Sequence, residues 1–267
     1  MITIFRTLLY VSAGLLIACS QPTRNFDQEA ARLGYAKQLV KGKDFLHAVY
    51  SKGTPDPGDR IYVYLPGDGS PWINRSHISE DPTPLNPLTL KLMHKGPQPA
   101  IYLGRPCYHG LAQSPECDPR YWTSARYSIT VVASMRAALH RLVGSYPDIK
   151  ITLIGYSGGG TLAVLIAADF AEVDQLVTLA GNLDTDAWTE QHRYSPLVDS
   201  LNPALQAPLP ASIRQRHFTG ELDQNISVNI VQKFANNQHD AEVTIVPGFT
   251  HQCCWEQRWP QLLDLIQ

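Results

Sequence analysis

The chain has 267 residues, of which 44% are hydrophobic and 17% are charged, and its formal net charge at pH 7 is -2. This length fits one large domain, and the apolar content is sufficient for a full hydrophobic core. A net charge so close to zero provides no electrostatic basis for binding nucleic acid or an acidic substrate.

The first residues have the pattern of an export signal. A single early charge, Arg6, precedes an apolar run and then small residues, so residues 1–18 are predicted to be a signal peptide. The run LIAC at residues 16–19 resembles the lipobox of bacterial lipoproteins, which implies cleavage before Cys19 and lipidation of its thiol. We therefore expect a lipid-anchored protein of the bacterial envelope, facing the periplasm from the outer membrane. Residues 19–43 would be the lipidated N-terminus and a tether.

Export would place the four remaining cysteines, Cys107, Cys117, Cys253 and Cys254, in an oxidising compartment. An even number of cysteines there is typical of disulfides. Pairing Cys107 with Cys117 closes a short loop, which stabilises a fold by roughly 3 kcal/mol at best. That pairing leaves Cys253 and Cys254 as a neighbouring pair or as free thiols. The alternative is two crossed disulfides that join the distant segments.

Strand and helix patterns alternate from residue 44 onward. Strands are predicted over 44–52, 59–69, 99–106, 149–157, 175–181, 215–221 and 241–247. Helices are predicted near 88–94, 123–146, 159–170, 228–236 and 255–266, with Thr123 or Ser124 as the cap of the second.

This alternation predicts an α/β fold for residues 44–267, with a mostly parallel sheet and helices on both faces. The segment 183–213 separates two of the strands and contains four prolines. We expect it to form a short cap rather than a large mobile lid.

Ligands of such sheets bind at the carboxyl ends of the strands. One predicted strand runs into Gly155-Tyr156-Ser157-Gly158-Gly159, and a helix follows. Asp223 and His251 follow two later strands. A serine hydroxyl is a weak nucleophile and needs a base, and a histidine held by a carboxylate can act as that base.

The motif G-x-S-x-G on a strand, turn and helix, followed in order by Asp223 and His251, resembles the α/β-hydrolase fold family. The resemblance covers most of residues 44–267, and the ending H-x-C-C-W is similar to that of a group of exported bacterial members. It implies Ser157 as nucleophile, His251 as base and Asp223 as acid. Glu221 and Asp184 are the alternative acids.

The resemblance also implies an oxyanion hole. One donor would be the backbone N–H of Gly158, which follows the nucleophile at a helix N-terminus. The second would be the backbone N–H of Asp68, in the loop after an earlier strand, with Gly69 as the alternative. Because many family members have His-Gly where this chain has Pro66-Gly67, the identity of this second donor stays open.

Taken together, these patterns predict a serine hydrolase that cleaves a carboxylic ester or a related acyl bond through an acyl-enzyme. Esterase is the first expectation, followed by lipase or thioesterase and then peptidase. The alternatives are a non-catalytic envelope lipoprotein that uses the fold as a binding scaffold, and an acyltransferase. Arg75 and Arg105 are the candidates for binding a charged leaving group. No cofactor, metal or nucleic-acid partner is expected, and the oligomeric state stays open.

Overall fold

The computed structural model describes residues 21–74 and 76–266. The predicted signal peptide, Cys19 and Arg75 lie outside the described residues. The helices of the described part are α1 (Pro22–Arg32), α2 (Leu88–Lys95), α3 (Ile129–Val143), α4 (Gly158–Ala167), α5 (Thr185–His192), α6 (Val228–Ala235) and α7 (Trp255–Leu263). Its strands are β1 (Ala36–Lys41), β2 (Leu46–Lys52), β3 (Arg60–Leu65), β4 (Trp72–Asn74), β5 (His77–Ile78), β6 (Ala100–Leu103), β7 (Lys150–Tyr156), β8 (Val173–Leu179), β9 (Arg214–Gly220) and β10 (Ala241–Val246).

The described part of the chain forms an eight-stranded sheet in the order β1-β2-β6-β3-β7-β8-β9-β10. The pairs β1–β2 and β2–β6 are antiparallel, and the neighbouring pairs from β6 to β10 are parallel. The predicted mostly parallel sheet is therefore confirmed. Because β3, β7, β9 and β10 run in the same direction, the loops that follow them meet at one edge of the sheet.

Helices cover both faces of the sheet, as the buried side chains show. Alternate residues of β7 point to opposite faces: Leu153 belongs to the core cluster that contains side chains of α3, α4 and α6, whereas Ile154 belongs to the one that contains side chains of α1, α2 and α7. A parallel strand that is buried on both sides has a nearly continuous apolar sequence, which is why this strand was recognisable. No helix within residues 21–74 and 76–266 is both long and apolar enough to cross a membrane.

The prediction that residues 19–43 form a tether is wrong for most of that segment. Residues 22–41 do not form an extended linker, because they contain α1 and β1. Helix α1 buries Phe26 and Ala30 against the sheet, and β1 pairs with β2 along its whole length. The sequence signal is weak because β1 is an edge strand whose residues are mostly exposed. The folded domain therefore begins before residue 44 and includes most of the predicted tether.

The second predicted helix begins later than expected. Helix α3 starts at Ile129, and its cap is Ser128, whose hydroxyl accepts a hydrogen bond from the backbone N–H of Val131 at 3.3 Å. Thr123 instead follows a short 3₁₀ helix, Pro119–Trp122. The predicted caps, Thr123 and Ser124, both precede the helix, and Ser128 is of the same residue type as Ser124, which favours caps.

The disulfide of Cys107 with Cys117 is present, with a Cα–Cα distance of 5.6 Å. This separation is ordinary for a disulfide. Cys253 and Cys254 are joined to each other. The crossed connectivity is therefore not the one that the structure adopts.

Candidate active site

A tight turn between β7 and α4 presents Ser157. Its backbone has φ 52° and ψ −123°, a region that residues with a side chain rarely adopt. The flanking residues must be glycines because there is no room for a side chain. A Cβ on Gly155 would collide with the carbonyl oxygen of Gly159, and a Cβ on Gly159 would collide with the carbonyl oxygen of Leu65. The sequence pattern thus has a steric cause, and its result is a hydroxyl raised above the carboxyl ends of the strands.

The structure brings together Ser157, His251 and Asp223. His251 Nε2 lies 3.0 Å from Ser157 Oγ, and His251 Nδ1 lies 2.9 Å from Asp223 Oδ2. An ionised carboxylate only accepts hydrogen bonds, so Nδ1 carries the proton and Nε2 is free to accept the serine proton. The arrangement can therefore withdraw a proton from Ser157.

Asp223 is fixed in place beyond the end of β9. Its Oδ1 accepts hydrogen bonds from the backbone N–H groups of Asn225 and Ile226 at 2.8 and 2.9 Å, and its side chain is fully buried. The alternative acids contact other groups. Glu221 accepts from the backbone of Gly248, and Asp184 caps α5. Among the three carboxylates, the one that contacts His251 is Asp223.

Two aromatic side chains donate hydrogen bonds to the backbone of the loop that carries His251. The Tyr156 hydroxyl and the Trp255 indole N–H donate to the carbonyl oxygen of His251, at 3.0 and 2.9 Å respectively. Sequence analysis did not assign them this role, although both belong to recognised motifs: Tyr156 precedes the serine, and Trp255 ends H-x-C-C-W. Their shared acceptor limits the positions that the imidazole can take.

The predicted oxyanion loop lies directly against the serine turn. A Cβ on Gly67 would be 3.3 Å from Ser157 Cβ, and a Cβ on Gly158 would collide with Asp68 Oδ1. Within residues 21–74 and 76–266, the backbone N–H groups of Asp68 and Gly158 donate to no other protein group. Both are therefore available as donors beside Ser157, as an oxyanion hole requires.

The Asp68 side chain is the centre of a charged cluster that sequence analysis did not predict. Its carboxylate accepts from Arg105 Nη1 at 2.5 Å, from Arg126 Nη1 at 2.7 Å and from the Tyr127 hydroxyl at 2.6 Å. Burial raises the pKa of the Asp68 carboxyl, but the charges of Arg126 and Arg105 outweigh burial and hold this pKa well below its usual range. The Tyr108 hydroxyl also donates to the Asp68 carbonyl oxygen at 2.8 Å.

These contacts fix Asp68 at its side chain and its carbonyl, and they therefore also fix the direction of its backbone N–H. They also correct one expectation. Arg105 is fully buried and bound to Asp68, so it is not accessible to a leaving group.

A second histidine and serine pair lies elsewhere in the core. His47 Nε2 is 2.9 Å from Ser134 Oγ, and both residues are fully buried. The other nitrogen of His47 faces the carbonyl of Gly104 rather than a carboxylate. Burial lowers the pKa of His47 to about 4, so this imidazole is neutral at pH 7. The pair lacks an acid and an opening, which makes it a structural contact.

Ser157 opens into a cleft of about 1470 Å³. This volume exceeds the ~300–1,000 Å³ of most small-molecule pockets. Its lining includes the oxyanion loop, Trp72 and Asn74 of β4, and Trp188 and residues 192–197 of the predicted cap. Trp188 Nε1 and His192 Nε2 contact Asn225, at 3.3 and 2.8 Å, and so tie the cap to the loop that carries Asp223.

Polar residues are also present at the cleft, but they do not form a metal site. In the part of the chain that the structure describes, no group of three or more His, Cys, Asp or Glu side chains is arranged to hold a metal ion.

Comparison with known proteins agrees with this architecture. A family model for lipases of class 3 matches residues 107–180, which contain Ser157. No curated protein sequence gives a significant match.

Solved structures resemble most of the chain. The esterase Pf2001 of Pyrococcus furiosus has a TM-score of 0.61 and 15% identity, over 88% of this chain and 93% of that one. Naproxen esterase of Bacillus subtilis has a TM-score of 0.58 and 12% identity, over 92% and 97%. An alpha-beta serine hydrolase homologue of Coxiella burnetii has a TM-score of 0.55 and 16% identity, over 86% and 95%. At these identities the likeness shows the fold, which is that of the α/β hydrolases.

Proposed function

We propose that this chain is a serine hydrolase that cleaves carboxylic esters, with Ser157 as nucleophile, His251 as base and Asp223 as acid. The observation that carries the proposal is the continuous hydrogen-bonded relay from Asp223 through His251 to Ser157 at the floor of an open cleft. The match to class 3 lipases and the esterases among the structural neighbours support the same reaction class.

The geometry accounts for each step. Ser157 Oγ attacks the acyl carbon while His251 Nε2 takes its proton, and the carbonyl oxygen becomes an oxyanion. The backbone N–H groups of Gly158 and Asp68 stabilise this charge, and the N-terminus of α4 adds a favourable dipole. The ester C–O bond then breaks, and the departing alkoxide takes the proton from His251. Water activated by the same imidazole releases the acyl group from Ser157.

A fluorophosphonate probe tests this proposal without requiring a guess about the substrate. We expect the purified full chain to be labelled covalently and Ser157→Ala to take no label, because only an activated serine reacts with the probe. Labelled peptides are located by mass spectrometry.

Ser134→Ala is the matched control, since Ser134 is a buried serine that contacts a histidine, His47, outside the cleft. This variant should be labelled like the unmodified chain. A folded full chain that takes no label would favour a binding scaffold over an enzyme. Label that persists in Ser157→Ala would show that the nucleophile is a different serine.

We further propose that Cys19 carries the lipid that holds the domain at the bacterial envelope, on the strength of the LIAC sequence at residues 16–19. Stable anchoring needs more than one acyl chain, which a diacylglyceryl cysteine provides. Cys19→Ser is expected to abolish incorporation of radiolabelled palmitate into the protein in bacterial cells. Cys107→Ser tests whether labelling depends on that position alone and should keep the palmitate. Equal labelling of the unmodified chain and Cys19→Ser would reject the anchor.

A further inference from the structure

The hairpin β4–β5 at the rim of the cleft exposes apolar side chains. Trp72 and Ile78 are cross-strand partners, and they are 43% and 38% exposed. Ile73 is 72% exposed, and Leu85, farther along the cleft lining, is 67% exposed. We call these four residues the apolar rim. A group of exposed apolar residues beside a cleft is typical of a surface that meets an apolar partner.

The hairpin is held firmly at its base. The backbone N–H of Ser79 donates to the Pro71 carbonyl at 2.9 Å, and the Trp122 indole N–H donates to the Ser79 carbonyl at 3.1 Å. The exposed side chains therefore project from a supported element.

The start of the described chain lies beside this hairpin. Thr23 donates to Asp81 Oδ2 through its backbone N–H at 3.1 Å and through its hydroxyl at 2.7 Å. Asp81 follows Ile78 by three residues. Cys19 precedes Thr23 by four residues, and a chain segment of that length spans at most about 14 Å. A lipid on Cys19 would thus hold the bilayer close to the base of the hairpin.

We propose that the apolar rim lies against the lipid bilayer, so that the cleft receives acyl esters of membrane lipids directly from the bilayer. The proposal rests on the proposed esterase activity and on the proposed anchor. Three observations support it: the exposure of the four rim residues, the position of Trp72 and Leu85 in the cleft lining, and the short chain segment between Thr23 and Cys19. A cleft of about 1470 Å³ has room for an acyl chain together with a headgroup.

The charges around the rim indicate which force drives the contact. Arg24 and Glu80 are both exposed near Thr23 and Asp81, so this region carries both signs. Insertion of apolar side chains, rather than attraction to anionic lipids, is therefore the main source of binding. The contact should form on zwitterionic vesicles.

Tryptophan fluorescence tests the contact independently of hydrolysis. The full chain is reconstituted in phosphatidylcholine vesicles with brominated acyl chains, since bromine quenches only indoles that reach the bilayer. We expect quenching in the unmodified chain and loss of most of it in Trp72→Phe. Trp188→Phe, which removes another indole of the cleft lining, should keep it. Equal quenching of the unmodified chain and Trp72→Phe, or none in either, would overturn the proposal.

A rate comparison tests the consequence for the substrate. The measured quantity is the hydrolysis rate of nitrophenyl palmitate in phosphatidylcholine vesicles divided by that of nitrophenyl acetate in water. The double variant Ile73→Ser and Ile78→Ser is expected to lower this ratio about tenfold or more, because each lost apolar group weakens insertion. The control is Ile245→Ser on edge strand β10. Ile245 is 41% exposed, which is close to the exposure of Ile78, and its substitution should leave the ratio unchanged.

The possible failures can be told apart. An unchanged ratio in the double variant would count against the rim as the bilayer contact. If neither ester is hydrolysed by the unmodified chain, the proposed activity fails, and the fluorescence experiment still decides whether the rim meets the bilayer.

Discussion

Replacing Asp223 with asparagine is expected to lower kcat/KM for nitrophenyl acetate by about 10⁴-fold. The Asn225 and Ile226 N–H groups that bind Asp223 Oδ1 would still find an acceptor in the asparagine carbonyl. The substitution replaces Oδ2, the oxygen that contacts His251 Nδ1, with an NH₂ group. An NH₂ group donates, so Nδ1 must accept and the proton moves to Nε2. That tautomer cannot take the proton of Ser157.

Two other carboxylates serve as controls for this prediction. Asp184→Asn alters the cap of α5, and Glu221→Gln alters an exposed contact with Gly248. Both variants should keep kcat/KM within about tenfold, because neither side chain contacts the imidazole. If Asp184→Asn lost activity as severely as Asp223→Asn, the acid assignment made from the structure would be wrong. Steady-state kinetics on the purified variants makes the comparison.

Much of the fold follows from strong local patterns. Strands β7 and β8 and helix α4 are buried almost throughout, so their apolar runs are long and clear. The elements that were missed bury little of their own length. Helix α1 buries two residues, and the hairpin β4–β5 is exposed along both strands. Their place in the fold depends on contacts with distant segments, which the spacing of apolar residues along the sequence does not reveal.

The relay could be anticipated because its three residues follow strand ends in a parallel sheet, and topology brings such ends together. The Asp68 cluster could not. Its partners lie 37, 58 and 59 residues away in sequence, at Arg105, Arg126 and Tyr127, in loops without a distinctive pattern. The cluster forms only when the loop after β3, the loop after β6 and the segment before α3 meet.

Asp68→Ala tests what this cluster does, and we expect a loss of both stability and activity. The side chains of Arg105 and Arg126 are 0% and 7% exposed, and the substitution would leave both buried charges without their carboxylate. Removing one partner from a buried ion pair costs about 3–5 kcal/mol in the free energy of unfolding. Release of the backbone N–H at residue 68 from its fixed direction should lower kcat by about 10²-fold or more.

The ion pair of Arg60 with Asp174 is the matched control. Its closest N–O distance is also 2.5 Å, but its two side chains are 29% and 28% exposed. Asp174→Ala should therefore cost no more than about 1 kcal/mol and leave kcat unchanged. Urea unfolding gives the free energies. Similar losses in the two variants would show that burial of the Asp68 cluster is not what matters.

The pH dependence of stability provides a sharper test of the charges. Because Arg126 and Arg105 hold the pKa of Asp68 below its usual range in the folded state, the carboxylate stabilises the fold above the unfolded-state pKa of about 3.9. This stabilisation is lost as pH falls from there toward the folded-state pKa. The difference in unfolding free energy between the unmodified chain and Asp68→Asn should thus be constant above about pH 5 and shrink below about pH 4. A difference that did not shrink below about pH 4 would mean that the two guanidinium groups do not hold the carboxylate of Asp68 in its ionised form.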